Sequence, residues 1–354
     1  MSFPTQLDQF TPAWLARALG QADGALLDFQ PQQIGTGQMC DSYRLTLNWA
    51  RGVENVPASI IIKCPSQDAA SRHVAALTGT YVKEVGWYRD LAQGSGVPAP
   101  RCFHADIAED EVDFVLLLSD LSPAVQGDQL RGLSLDGLLP SIDAAAALHA
   151  VMWGSSKLAD YPWLQRDNKD MIRMLFPQAF AGFRERYAQR LSPEVLAIGE
   201  ALVRNLDGFL AREPSTPTLV HGDLRIDNIL FLPDGSQSWL VDWQTVATGS
   251  GASDLAYLVG TSIADKDERA AADRPAFDHW IAALKRRQVD VEEEVLWREY
   301  RIGALSGYFM AVFASMNVVR TERGDEMFAV MAERPAYQAG ALGSLELIGE
   351  GGAG

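Results

Sequence analysis

The segment that most restricts the fold lies between residues 221 and 244. It reads His-Gly-Asp-Leu-Arg-Ile-Asp-Asn-Ile-Leu-Phe-Leu-Pro-Asp-Gly-Ser-Gln-Ser-Trp-Leu-Val-Asp-Trp-Gln. Residues 228–232 form an apolar run, Pro233-Asp-Gly-Ser236 is turn chemistry, and residues 237–242 return as a second run, so a β-hairpin is expected. A turn near Gly235 sets Asn228 opposite Val241 or Asp242, where cross-strand neighbours lie roughly 4.5–5.5 Å apart. An amide oxygen beside a carboxylate is a hard-ligand pair suited to Mg²⁺, with phosphates and water completing the octahedron. Asp223 precedes Asn228 by five residues, in the loop feeding the hairpin, and can accept the proton of a substrate hydroxyl. Each of these residues alone reads as a solvated hairpin end; their joint spacing is what carries information.

The rest of the chain divides by pattern. Thr11-Pro12 reads as a cap with proline in the first turn of a short helix that Gly20 closes. Tyr43-Arg-Leu-Thr-Leu47 alternates as a half-buried strand does, while Ser59-Ile-Ile-Ile-Lys63 and residues 114–118 read as buried strands. Residues 81–91 are helical, with Tyr81, Val85, Tyr88 and Leu91 on one face. Glu84 falls on that same apolar face, where a carboxylate costs several kcal/mol unless it is paired. Lys63 is its natural partner. Beyond Asp120 helical patterns dominate, over 142–153, 171–190, 193–212 and most of 291–334. The expected class is α+β: a small antiparallel-sheet lobe with one main helix over 1–120, and a larger, mostly helical lobe over 121–354.

His221-x-Asp223-x-x-x-x-Asn228 with Asp242 resembles the signature of the kinase-like small-molecule phosphotransferases, a superfamily that includes aminoglycoside phosphotransferases and choline kinases. Asp242-Trp-Gln and the following Gly249-Ser-Gly-Ala-Ser-Asp-Leu-Ala-Tyr257 are most similar to its ecdysteroid-kinase-like branch. The close match runs from Leu219 to Val259. The resemblance implies a bilobal protein-kinase-like fold that uses ATP and Mg²⁺, with Asp223 as catalytic base and Asn228 and Asp242 on the metal. It further implies a glycine loop over the phosphates, for which Gly35 and Gly37 stand in Ile34-Gly-Thr-Gly37, and a lysine on the phosphates, Lys63, held by Glu84. The third glycine of a protein-kinase loop is replaced by Cys40. Gly35 and Gly37 read equally well as a hairpin turn. His221 and Asp254 read as residues that order the catalytic loop, with Asp254 also a candidate helix cap. Arg225 either approaches the phosphate or pairs with Asp227.

Several features turn this reading away from a protein kinase. Gly222 stands where His-Arg-Asp has arginine, Asp242-Trp-Gln replaces Asp-Phe-Gly, and no Ala-Pro-Glu follows. Leu255 comes eleven positions after Gln244, too soon for a long activation segment. The acceptor is therefore read as a hydroxyl on a small molecule. The alternatives are an aminoglycoside- or choline-type kinase with a cationic acceptor, or a nucleotide-binding regulatory protein without activity. Trp163, Tyr308, Phe309 and Met316 could line an acceptor pocket and read equally as core.

Composition supplies exclusions. Among 354 residues, 46 Asp and Glu against 30 Lys and Arg give a formal charge of −16, which argues against nucleic acid and anionic membranes as partners. The three cysteines form no CxxC pair and the histidines no HExxH, so neither a disulfide scaffold nor a zinc site is expected. The absence of GxxxxGK[ST] and of GxSxG removes P-loop and α/β-hydrolase chemistry. The first twenty residues lack a basic stretch followed by an apolar run, and no apolar run approaches a membrane span, so a cytoplasmic protein is expected.

Overall fold

A computed structural model describes residues 3–35, 39–165 and 168–349. The chain forms two compact units, residues 1–123 with 241–245, and residues 124–240 with 246–354.

The first unit is built on an antiparallel sheet of β1 (Leu26–Gln33), β2 (Cys40–Trp49), β3 (Ser59–Pro65), β4 (Cys102–Ile107) and β5 (Phe114–Ser119), in the order β1-β2-β3-β5-β4. Alternation in β3 sends Ile60 and Ile62 into a core with Leu15, Leu45, Leu47, Val115 and Leu117, covered by α1 (Pro12–Ala18). Thr11 caps α1, its hydroxyl accepting from Trp14 N at 3.2 Å. Because the side chains alternate, Lys63 emerges on the other face, paired with Ser42 of β2 and Leu116 of β5. That face carries α3 (Thr80–Gly86), which continues as a wider turn over Trp87–Leu91 and has α2 (Ala69–Thr78) packed beside it. Tyr81, Val85, Tyr88 and Leu91 are all buried, as the spacing requires. The edge strand β1 was not legible because Pro31 argues against a strand interior; at a sheet edge the missing N–H costs little.

The second unit is mostly helical. Its helices are α4 (Leu135–Val151), α5 (Lys169–Tyr187), α6 (Pro193–Arg204), α7 (Leu206–Leu210), α8 (Gly251–Ser262), α9 (Lys266–Arg286), α10 (Glu293–Gly303), α11 (Leu305–Asn317), α12 (Glu322–Ala341) and α13 (Ser344–Gly349). Short strands join them: β6 (Val125–Gln126) with β8 (Ile229–Phe231) and β9 (Ser238–Leu240), and β7 (Thr218–Val220) with β10 (Ala247–Gly249). At the centre lies α8, packed by α4, α9, α10, α11 and α12, and nearly every residue of it is buried. Sequence patterning missed α9 and began α4 too late. Both helices contain an internal proline, Pro275 and Pro140, whose local cost the burial of Leu138, Ile142, Phe277 and Trp280 overrides. Among the described residues no helix is long and apolar enough to cross a membrane.

Candidate functional site

Within the first unit, the Lys63 ammonium lies 2.5 Å from Glu84 Oε1 and 3.4 Å from Asp242 Oδ1. Glu84 is fully buried at the end of its helical face. Burial alone would discharge Lys63, but the neighbouring Glu84 and Asp242 carboxylates hold the ammonium charged, well above its ordinary pKa. The second Glu84 oxygen accepts from Gln244 Nε2 at 3.4 Å, and that amide also lies 3.3 Å from Cys40 Sγ. Burial pushes the Cys40 thiol up to about 12, so it acts as a neutral wall and not as a nucleophile.

Asp242 has φ +67°, a left-handed backbone that costs a non-glycine residue about 1–3 kcal/mol. Its neighbours hold it there. Trp243 is fully buried and stacks on Trp87 with ring centroids 3.9 Å apart, and Gln244 is tied to Glu84. The carboxylate between them keeps 42% of its side-chain surface. This corrects the hairpin expectation: the ladder runs only from Ile229↔Leu240 to Phe231↔Ser238, so neither Asn228 nor Asp242 is a strand residue. Asn228 closes the 3₁₀ turn Ile226–Asn228, and residues 241–245 belong to the first unit.

Within the second unit, the loop after β7 is anchored by α8. Asp254 accepts from His221 N at 2.7 Å and from Gly222 N at 3.0 Å, and its carboxylate lies 3.3 Å from His149 Nε2. Trp280 Nε1 donates to His149 Nδ1 at 3.0 Å, which fixes His149 as the tautomer that donates to Asp254. Asp254 is thus a loop anchor, and the cap of α8 is Ser250. Gly222 has φ +79°, a conformation that suits glycine in the position where protein kinases carry arginine.

That anchoring presents Asp223. Its Oδ1 accepts from the Tyr257 hydroxyl at 2.6 Å and its Oδ2 from Asn228 Nδ2 at 2.8 Å, and Arg225 Nε stands 3.3 Å away. Arg225 also pairs with Asp227 at 2.8 Å. Burial would raise the Asp223 carboxyl, but Arg225, Tyr257, His221 and Asn228 together hold it below the usual carboxylate range, so it is ionised at neutral pH. Because Asn228 spends its nitrogen on Asp223, its carbonyl oxygen is what remains for a cation.

Gly35 lies in the β1–β2 turn with φ +75°, beside a bond from Ile34 N to Ser42 O at 2.9 Å, while Gly37 falls outside the described residues. Tyr308 is fully buried in the core of the second unit, Phe309 stacks on Phe176 at 4.7 Å, Met316 packs against the same core, and Trp163 is buried. Tyr308 is thus a core side chain, while Phe309 and Met316 are partly buried against that core. Sequence reasoning gave no role to Gln244 and Tyr257, which bond to Glu84 and Asp223. The signal for Tyr257 was available, since it follows Asp254 by three positions and shares its helix face.

The phosphotransferase enzyme family model (APH) matches residues 66–301. Acyl-CoA dehydrogenase family member 11 from Gallus gallus is 27% identical over 179 residues, 47% of this chain and 21% of the relative, and the Homo sapiens protein is 27% identical over 175 residues with the same coverage. The chain thus spans about a fifth of the length of the curated relatives it matches. Among solved structures, choline kinase from Cryptosporidium parvum Iowa II superposes with a TM-score of 0.55 at 13% identity, covering 91% of both chains. Plasmodium vivax ethanolamine kinase gives 0.51 at 10% identity, covering 86% of this chain and 81% of its own. At these identities the likeness is one of fold. With the family model spanning more than half of the sequence and taking in the segment from His221 to Asp254, the chain belongs to the phosphotransferase enzyme family.

Proposed function

We propose that this protein transfers the γ-phosphoryl group of ATP to a hydroxyl of a small molecule, with Asp223 as the base. The observation that carries the reading is the Asp223 carboxylate itself. It is kept ionised by Arg225, Tyr257 and Asn228, yet retains 19% of its side-chain surface, so an acceptor can reach it. The acceptor O–H gives its proton to Asp223 as its oxygen bonds to the γ-phosphorus, the bond from that phosphorus to the bridging oxygen breaks, and ADP leaves with the electron pair. Lys63, fixed by Glu84, holds the α- and β-phosphates. Catalysis comes from positioning and charge neutralisation.

The oxygen donors fit Mg²⁺. Asn228 would hold it through its amide oxygen and Asp242 through its carboxylate, and the ion would supply charge neutralisation on the phosphates. Phosphate oxygens and water would complete the octahedron.

Saturating nucleotide with Mg²⁺ should stabilise the fold by about 2.7 kcal/mol at a hundred times its dissociation constant. Asp223→Asn should keep that stabilisation and lose ADP release across a panel of alcohols that includes amino alcohols. A protein that no nucleotide stabilises, or an Asp223→Asn variant that turns over normally, would overturn the reading.

A further inference from the structure

The base proposed above is gripped from two sides, and one grip comes from the core. Tyr257 sits on α8 and is 2% exposed, its ring packed among the buried residues of the second unit. Its hydroxyl leaves that core to donate to Asp223 Oδ1 at 2.6 Å. On the other side Asn228 Nδ2 donates to Oδ2 at 2.8 Å, while Arg225 Nε lies 3.3 Å from each of the two carboxylate oxygens, a loose contact longer than a charge-assisted hydrogen bond. The χ2 torsion of an aspartate is broad and sets no orientation of its own. Without the Tyr257 hydroxyl, the nearest charge pulling on the carboxylate is Arg225, and the favoured geometry of such a pair is a fork that takes both carboxylate oxygens. Burial and the neighbouring Asp223 hold the Tyr257 phenol well above its ordinary pKa, so it stays a donor.

We propose that Tyr257 is a positioning residue of the phosphotransfer reaction: it holds the Asp223 carboxylate away from a closed pair with Arg225 and keeps a lone pair turned toward the acceptor hydroxyl. The inference rests on the reading of Asp223 as the base. It divides the work of α8 in two. Asp254 fixes the backbone of the loop at His221 and Gly222, and Tyr257, one turn later, fixes the side chain that this loop presents.

Tyr257→Phe keeps the ring and removes the donor. In the full chain, with Mg·ATP as substrate and water as acceptor, kcat for phosphate release should fall about 10- to 100-fold. The KM for ATP and the nucleotide-induced shift in melting temperature should stay within about twofold of wild type, because a mispositioned base lowers kcat without touching ground-state binding. In an Asp223→Asn background the same substitution should have no further effect. A core role alone would leave kcat unchanged in Tyr257→Phe, and that result overturns the proposal, as does an equal loss of kcat and nucleotide binding. A crystal structure of Tyr257→Phe needs no activity. The Asp223–Arg225 separation should close from 3.3 Å to a fork pair below about 3.0 Å, and an Asp223 side chain that has not moved refutes the idea. If instead Asp223→Asn turns over at the wild-type rate, the base assignment falls, while the crystal structure still decides whether Tyr257 orients Asp223.

Discussion

Glu84 and Lys63 form an ion pair of 2.5 Å in which the carboxylate is fully buried and the lysine side chain keeps 11% of its surface. The pair connects a helix face to the central strand of the sheet, and Gln244 adds a bond to the free Glu84 oxygen. Its worth lies in placement, since a buried pair gains little over an apolar one of equal volume.

Breaking the pair from one side should therefore be costly. Lys63→Ala leaves a buried carboxylate without its counter-charge and should destabilise the first unit by about 3–5 kcal/mol. The double variant Lys63→Met, Glu84→Leu should recover most of that loss while removing phosphate contacts. Urea unfolding of the two variants is the measurement. A double variant as unstable as the single would show that the loss is one of packing and not of charge.

The anchor at Asp254 can be tested without an acceptor. Asp254→Asn retains one acceptor oxygen for two backbone donors, so one N–H of the loop loses its partner at about 1–3 kcal/mol. Hydrogen exchange at His221 and Gly222 should then accelerate far more than exchange in α8 at large. Equal acceleration throughout would point to global destabilisation instead.

Acid should reveal Asp120. Burial raises its carboxyl, but bonds from Ser59, Arg44 and Ser122 outweigh that and hold it below its ordinary range. A carboxylate depressed in the folded state adds stability that is complete above its unfolded pKa of about 3.9 and is lost as pH falls through the folded value. Asp120→Asn should therefore be less stable than wild type near pH 6, and the gap should close below about pH 4. A gap independent of pH would mean that the Arg44–Asp120 contact of 2.7 Å contributes through shape alone.

Helix spacing beneath the loop depends on Gly303. A Cβ there would stand 2.4 Å from Ser253 Cα, a backbone atom that cannot swing aside. Gly303→Ala should push α10 off α8, the helix that carries Asp254 and Tyr257, and cost about 1–3 kcal/mol. The loss should appear in thermal unfolding together with reduced turnover. A variant as stable as wild type would show that α10 can shift freely.

Much of this molecule is written locally. The alternation of β3, the apolar helix face holding Glu84, the turn chemistry at Gly235 and the capped start of α1 at Thr11 each depend on residues a few positions apart, so periodicity and turn preferences reveal them. The motif from His221 to Asp242 likewise pointed to the phosphotransferase family, because its residues lie close together in the chain. Apart from the Lys63–Glu84 pair, the sequence by itself did not determine which distant groups meet the motif residues. The residues after Asp242 are held by Trp87 and Glu84, more than 150 positions earlier, and Asp223 accepts a hydrogen bond from a tyrosine 34 positions later. Helices with internal prolines, α4, α5, α9 and α12, form because distant side chains bury against them. Local pattern specifies which face of an element is buried. Only tertiary packing decides which distant group meets it, since that contact is made after the chain entropy of closing a long loop has been overcome.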